Sequence, residues 1–119
     1  MKIERAEEYF HELGGLHDAR PQRITLDFPR GTLSLVVDDL NSNFLDLPEY
    51  AGLLPAELAF TGVSMFDGAI DPLIADPFIH RLDIASDGDA FAAELNLSPG
   101  GRVRWSFAEV ELLAPPRER

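Results

Sequence analysis

"FIHRLDIASDGDAFAAELNLSPGGRVRWSF", residues 78–107, alternates apolar and polar side chains through three successive runs. Leu82 and Ile84, then Phe91, Ala93, Leu95 and Leu97, then Val103, Trp105 and Phe107 recur at every second position. That period belongs to strands with one buried face. Asp87-Gly88 lies between the first two runs and is a strong hairpin signal, because a tight primed turn needs positive φ. A turn centred there pairs Ile84 with Phe91, Leu82 with Ala93 and Phe78 with Leu97. A three-residue loop at 99–101 then pairs Leu97 with Val103 and Leu95 with Trp105. Both registers lay apolar on apolar, the condition a buried face imposes. On the same reckoning His80 faces the core opposite Leu95, while Arg81 meets Glu94 and Asn96 meets Arg104 on the outer face. Past Phe107 the alternation slips to Val110 and Leu112, and one extra residue at Ala108 reads as a β-bulge.

Working back towards the N-terminus, "QRITLDF" and "TLSLVVDD" repeat the pattern, joined by a four-residue loop with Pro29 at the second position of a turn. That loop sets Phe28 against Leu33 and Leu26 against Leu35. "ELAFTGVSMF" (57–66) reads as a further strand, with Gly62 marking a bulge or a close backbone approach. Residues 40–56 and 67–77 carry prolines and glycines between scattered apolar residues and read as long loops. Only residues 3–13 have the helical period. Ile3, Ala6, Tyr9, Phe10 and Leu13 form one stripe, four glutamates face away, and Gly14-Gly15 supplies the stop. The predicted elements are a helix over 3–13 and strands over about 22–28, 32–39, 57–66, 78–86, 89–97 and 102–113, with "PPRER" as a frayed tail. One sheet and one short helix could not cover that many apolar faces. The expectation is a single mainly β (α+β) domain: an antiparallel β-sandwich or partly open barrel of about six strands, its N-terminal helix closing one end or edge.

Composition narrows the function classes. The 119 residues include 21 acids and 10 bases, for a net charge of −11, and no cysteine. Phosphate backbones and anionic membrane surfaces are repelled by such a chain, so neither nucleic acid nor membrane is expected as a partner. A basic protein partner is favoured by charge, although acidity also serves plain solubility. Without cysteine there is no thiolate nucleophile or thiolate metal site, which suits a reducing compartment. The opening "MKIERAEEYF" has no apolar core of a signal peptide, so a cytoplasmic location is expected.

Five motifs bear on chemistry. In "VVDDLNSNFLD" (36–46), Asp38, Asp39, Asn41, Asn43 and Asp46 cluster oxygen ligands, the composition a hard cation requires. Asp39, Asn41 and Asn43 fit the first, third and fifth places of an EF-hand loop, but Phe44 stands where glycine belongs and Tyr50 where glutamate belongs. An EF-hand is therefore excluded. Calcium held between sandwich loops, with Asp67 and Asp71 contributing, is the looser metal reading. A second reading makes Asp38, Asp39, Asp46 and Glu49 an acidic contact surface for a partner. The plainest one is that Asp and Asn end strands through local hydrogen bonds. His17-Asp18 has the pairing used by metal-dependent phosphohydrolases, but those need more ligands on a helical scaffold, and this helix ends first. "GVSMF" lacks the final glycine of a nucleophile elbow. Arg81, Arg102 and Arg104 form a small basic stripe, which cross-strand pairing explains. Asn96 begins a glycosylation triplet with no secretion signal beside it. No cofactor is expected.

The stretch "YFHELGGLHDARPQRITLDFPRGTLSLVVDDLN" (9–41) resembles the start of small uncharacterised bacterial domains that open with a short helix, then "LHDA", then a hairpin of alternating strands. Some of these are classed with immunity proteins of polymorphic toxin systems. The resemblance spans roughly the first 45 residues. It implies a non-enzymatic, cytoplasmic, β-rich protein that neutralises a toxin, and it carries no binding residues over. The leading expectation is thus a non-catalytic acidic binding protein of immunity type. The alternatives are a calcium- or small-ligand-binding sandwich module and an enzyme using paired carboxylates.

Overall fold

The computed structural model describes residues 1–117. Its elements are α1 (Ala6–Glu12), β1 (Pro21–Asp27), β2 (Thr32–Val37), β3 (Ala56–Thr61), β4 (Ser64–Ala69), β5 (Phe78–Asp87), β6 (Ala90–Ser98), β7 (Arg102–Phe107) and β8 (Glu109–Leu113). They form two antiparallel four-stranded sheets, ordered β1-β2-β3-β8 and β4-β7-β6-β5. The fold is mainly β with one α-helix, as the alternation predicts, and no closed barrel forms. No helix among the described residues is long and apolar enough to cross a membrane.

The strand count rises from six to eight because two predicted strands each divide between the sheets. The 57–66 run breaks at Gly62 into β3 of one sheet and β4 of the other, and the 102–113 run breaks at Ala108 into β7 and β8. The two corners touch. Ala108 N–H donates to Thr61 O at 2.9 Å, and a Cβ on Gly62 (φ +65°) would lie 2.8 Å from Ala108 Cβ. The slip at Ala108 therefore carries the chain across the sandwich and does more than bend a strand. The predicted loop at 67–77 begins only at Ile70, because β4 runs to Ala69.

Three hairpin registers differ from expectation, each keeping the same faces. Asp27 pairs with Thr32 and Leu26 with Leu33, so Phe28 falls in the turn, 84% exposed, and its carbonyl accepts from Gly31 N–H. Ser86 pairs with Phe91, Ile84 with Ala93 and Leu82 with Leu95, which puts Gly88-Asp89 at the corner. Leu95 pairs with Val103 and Ala93 with Trp105. Each slide moves a partner by two residues, and a period of two cannot resolve that. A further irregularity between Ile79 and Arg81 sends Ile79 inward (0% exposed) and His80 out to solvent, reversing the expectation for His80.

Between the sheets lie Leu33, Leu35, Leu58 and Phe60 from one side and Leu82, Leu95, Val103, Trp105 and Phe107 from the other. The Phe60 ring meets Trp105 edge-on at 5.2 Å and Phe107 at 4.8 Å, and it locks the layers together. Such a fully buried aromatic contributes about 1.5–3 kcal/mol from area alone. The helix is shorter than 3–13. Ile3 is extended, and its N–H donates to Val110 O at 3.0 Å. Residues 1–3 thus satisfy the free edge of β8, a stronger demand than helix continuation. Ala6 and Phe10 are buried from α1, and Leu16 and Ala19 follow from the next turn. Asp18 N–H donates to Ile79 O (2.9 Å) and Ile79 N–H to Ala19 O (2.7 Å), closing the edge of β5.

Candidate functional site

The segment after β2 is an ordered loop built around one carboxylate. Asp38 still belongs to the strand end: its Oδ1 accepts Arg20 N–H at 2.7 Å, and its own N–H donates to Arg20 O at 3.1 Å. Asp39 is 5% exposed. Its Oδ1 accepts Asn41 N–H (3.0 Å) and Leu54 N–H (3.1 Å), and its Oδ2 accepts the Tyr50 hydroxyl at 2.7 Å. The hydrogen bond to Asp39, more than burial, raises the Tyr50 phenol above its ordinary value. Leu40 N–H donates to Leu54 O (2.8 Å) and Asn41 Nδ2 to Gly52 O (2.9 Å), so both ends of the loop are tied. Ser42 Oγ donates to His17 O at 2.8 Å, and the Asn43 side chain lies where a Cβ on Gly14 would stand.

This base carries an exposed tip. Leu45, Leu47 and Leu53 are 57%, 48% and 71% exposed, and Asp46 and Glu49 stand exposed among them. Of the four acids expected to meet a partner, Asp46 and Glu49 do face solvent. Asp38 is half-buried and bonded, and Asp39 is withdrawn completely, because backbone N–H groups in a folded loop need a buried acceptor. The exposed leucines were legible only as scattered apolar residues. Nothing local shows that the loop closes beneath them.

The same geometry bears on the metal candidates. Asp39 spends both oxygens on its own chain, Asp38 is bonded to Arg20, Asn41 is bonded to Gly52 O, and the Asn43 side chain packs against Gly14. Asp67 pairs with Arg104 at 3.2 Å, and Asp71 accepts Leu73 N–H at 2.9 Å. No three His, Cys, Asp or Glu side chains among the described residues converge as a metal group. His17 is bonded through Nδ1–H to His80 O at 2.8 Å, and its Nε2 lies 3.4 Å from Asp18 Oδ1. The "LHDA" motif is thus a closure of the β5 edge: Leu16 and Ala19 bury, and His17 and Asp18 bond backbone. Of the basic stripe, Arg104 pairs with Asp67 and lies opposite Glu94, while Arg81, which approaches Asp83, and Arg102 flank Asn96 in one cross-strand row.

Two polar residues escaped the sequence reading. Glu57 is 4% exposed although it sits on the face of β3 that points away from the core. Arg117 binds it, and so the tail is anchored at that residue; the rest of the expected frayed tail, Glu118 and Arg119, lies outside the described residues. The available signal was an acid at an alternating position of a strand, which marks an outer face but not its occupant.

No family model and no curated protein matches this chain. Among solved structures, an uncharacterized protein from Neisseria gonorrhoeae has a similar fold: 10% identity, 81% of this chain and 90% of that chain covered, TM-score 0.54. At that identity the likeness is one of fold.

Proposed function

We propose that the protein is a non-catalytic binding protein that presents the loop at 45–53 to a basic protein partner, as an immunity-type inhibitor presents itself to a toxin. The observation that carries this reading is the pairing of an exposed tip, with three leucines and two acids, and a base fastened by buried Asp39. A loop already ordered loses little conformational freedom on binding. Leucines within an acidic rim supply area for contact, and the acids, backed by a net charge of −11, speed encounter with a basic surface. The lack of cysteine suits the cytoplasm, where we place the protein.

The test is kinetic. Once a partner has been isolated, Asp46→Asn/Glu49→Gln is expected to slow association and flatten its salt dependence, whereas Leu47→Ser/Leu53→Ser is expected to speed dissociation. Unchanged rate constants in both variants would remove the loop from the interface. A second reading rests on a mostly apolar hollow of about 460 Å³ between β1 and the 70–77 loop, where Ile24, Phe66, Ile70 and Ile74 gather. It would hold a small apolar ligand. A Phe66→Asp variant that keeps every ligand response of the wild type would eliminate it.

A further inference from the structure

Glu57 presents an unusual combination: an outward-facing position in a sheet, an almost fully buried carboxylate, and a cover supplied by Arg117 beyond the last strand. Oε1 accepts Arg117 N–H (3.0 Å) and Nε–H (3.3 Å), and Oε2 accepts Arg117 Nη2–H (2.6 Å) and the Ser34 hydroxyl (2.9 Å). A planar guanidinium fork on a carboxylate is the strong form of ion pair. The receptor half is sunken, since the Glu57 side chain is 5% exposed near the start of β3, an inner strand of its sheet, while the Arg117 side chain is 61% exposed. The link to Arg117 is weakly tied. Ala114, Pro115 and Pro116 make no hydrogen bond among the described residues, and prolines have no N–H to offer. Among the described residues of the tail, Arg117 makes the ties to the sheet.

The sheet face does not end at Arg117. A groove of about 430 Å³ continues from Glu57 and Arg117, lined also by Arg23, Thr32, Thr61 and Arg30, with Asp27 and Glu111 at its sides. Arg23 is half-buried and has no ion pair among the described residues, despite 21 acids in the chain. It lies in the same cross-strand row as Glu57, two strands away through Val36, hence roughly 10 Å off. Among the described residues the groove therefore offers a sunken anion, the hydroxyls of Thr32 and Thr61, and in Arg23 a cation without an ion pair.

We propose that this face is a binding groove for an extended peptide segment bearing an arginine and a nearby carboxylate, and that the chain's own tail is its resident, displaceable occupant. The incoming arginine takes Glu57 in place of Arg117, and the carboxylate meets Arg23. The proposal stands apart from the loop at 45–53 and does not depend on it.

The experiment uses the full chain and the peptide acetyl-APPREREDY-amide, which repeats residues 114–119 and adds a carboxylate-bearing tag. The control peptide has citrulline, a neutral isostere, at its first arginine. Fluorescence anisotropy is expected to show Arg117→Ala binding the arginine peptide at least tenfold more tightly than the wild type does. It is expected to bind the citrulline peptide at least tenfold more weakly, and Glu57→Gln/Arg117→Ala is expected to lose the discrimination. Arg23→Gln in the Arg117→Ala background is expected to weaken binding severalfold. A folded Arg117→Ala protein that ignores the peptide, or binds arginine and citrulline forms alike, would overturn the proposal and make the tail a fixed tie. If Arg117→Ala does not fold, Arg117→Lys replaces it under the same criteria, and the Arg117 Nε resonance of the wild type provides a further reading: it must shift as the arginine peptide is added and stay in place with citrulline.

Discussion

Asp39 decides how the central loop is to be read. One carboxylate accepts two backbone N–H groups and a phenol while 5% exposed, so removing it strands three donors. A buried donor left unpaired costs about 1–3 kcal/mol, reduced where water can enter. Asp39→Ala should therefore lower the unfolding free energy in urea by about 2–4 kcal/mol and accelerate exchange of the Leu54 amide. Tyr50→Phe removes one of the three bonds and should lower stability by less than Asp39→Ala does. An Asp39→Ala protein with wild-type stability would show that the loop does not rest on this residue. The clustering of Asp38, Asp39, Asn41 and Asn43 was plain in the sequence; their direction was not. Whether an aspartate points to solvent, to an ion or to its own backbone depends on where residues 50 and 54 return, and no local pattern specifies that return.

At the scale of elements, the corners at Gly62 and Ala108 define the sandwich. Each carries one strand from sheet to sheet, and they cross close enough that a methyl group on Gly62 has no room. Gly88 provides the comparison: it also has positive φ (+63°), but open space surrounds it. Gly88→Ala should cost the backbone strain alone, about 1 kcal/mol, whereas Gly62→Ala adds overpacking and should cost about 2–3 kcal/mol. Equal losses in chemical denaturation would mean that the corners do not constrain each other. Here the sequence was partly legible. The glycine inside a strand pattern and the phase slip at Ala108 both marked irregular places. That they are one contact between residues far apart in the chain, and that each ends a strand instead of bulging it, follows from how two sheets share an edge.

At the scale of the whole molecule, the charge balance and the tail act together in acid. The hydrogen bond from the Arg117 side chain, opposed by burial and reinforced by Arg117 N–H and Ser34, lowers Glu57 from 4.5 to about 2. A lowered carboxylate stabilises the fold above its unfolded value and loses that contribution as pH falls through the folded value. The contribution is thus complete above about pH 4.5 and gone below about pH 2, and it amounts to roughly 2–3 kcal/mol given screening at the exposed guanidinium. The other acids also neutralise on the way down, relieving self-repulsion in a chain of net charge −11, so the wild-type curve alone is ambiguous. The difference between wild type and Glu57→Gln isolates the pair. It should be flat from pH 7 to about 5 and shrink towards pH 2. A difference constant across that range would deny Glu57 its charged partner.

The sequence by itself determined what a period can encode. Alternation assigned Leu33, Leu35, Leu95, Trp105 and Phe107 to the interior, and one helical stripe placed Ala6 and Phe10 beside them. Turn chemistry put the hairpins in the right places, and the count of apolar faces required two layers. Tertiary structure decided everything that depends on which distant residues meet. It slid three registers by a whole period, which alternation cannot detect because the faces are unchanged. It drew Ile3 off the expected helix and, with Met1 and Lys2, set it against β8, and it turned "LHDA" into the closure of β5. It also joined Glu57 to Arg117 across sixty residues of chain. Local sequence sets the direction a side chain faces; unpaired backbone groups and buried charges, which draw partners from anywhere in the fold, set what it faces.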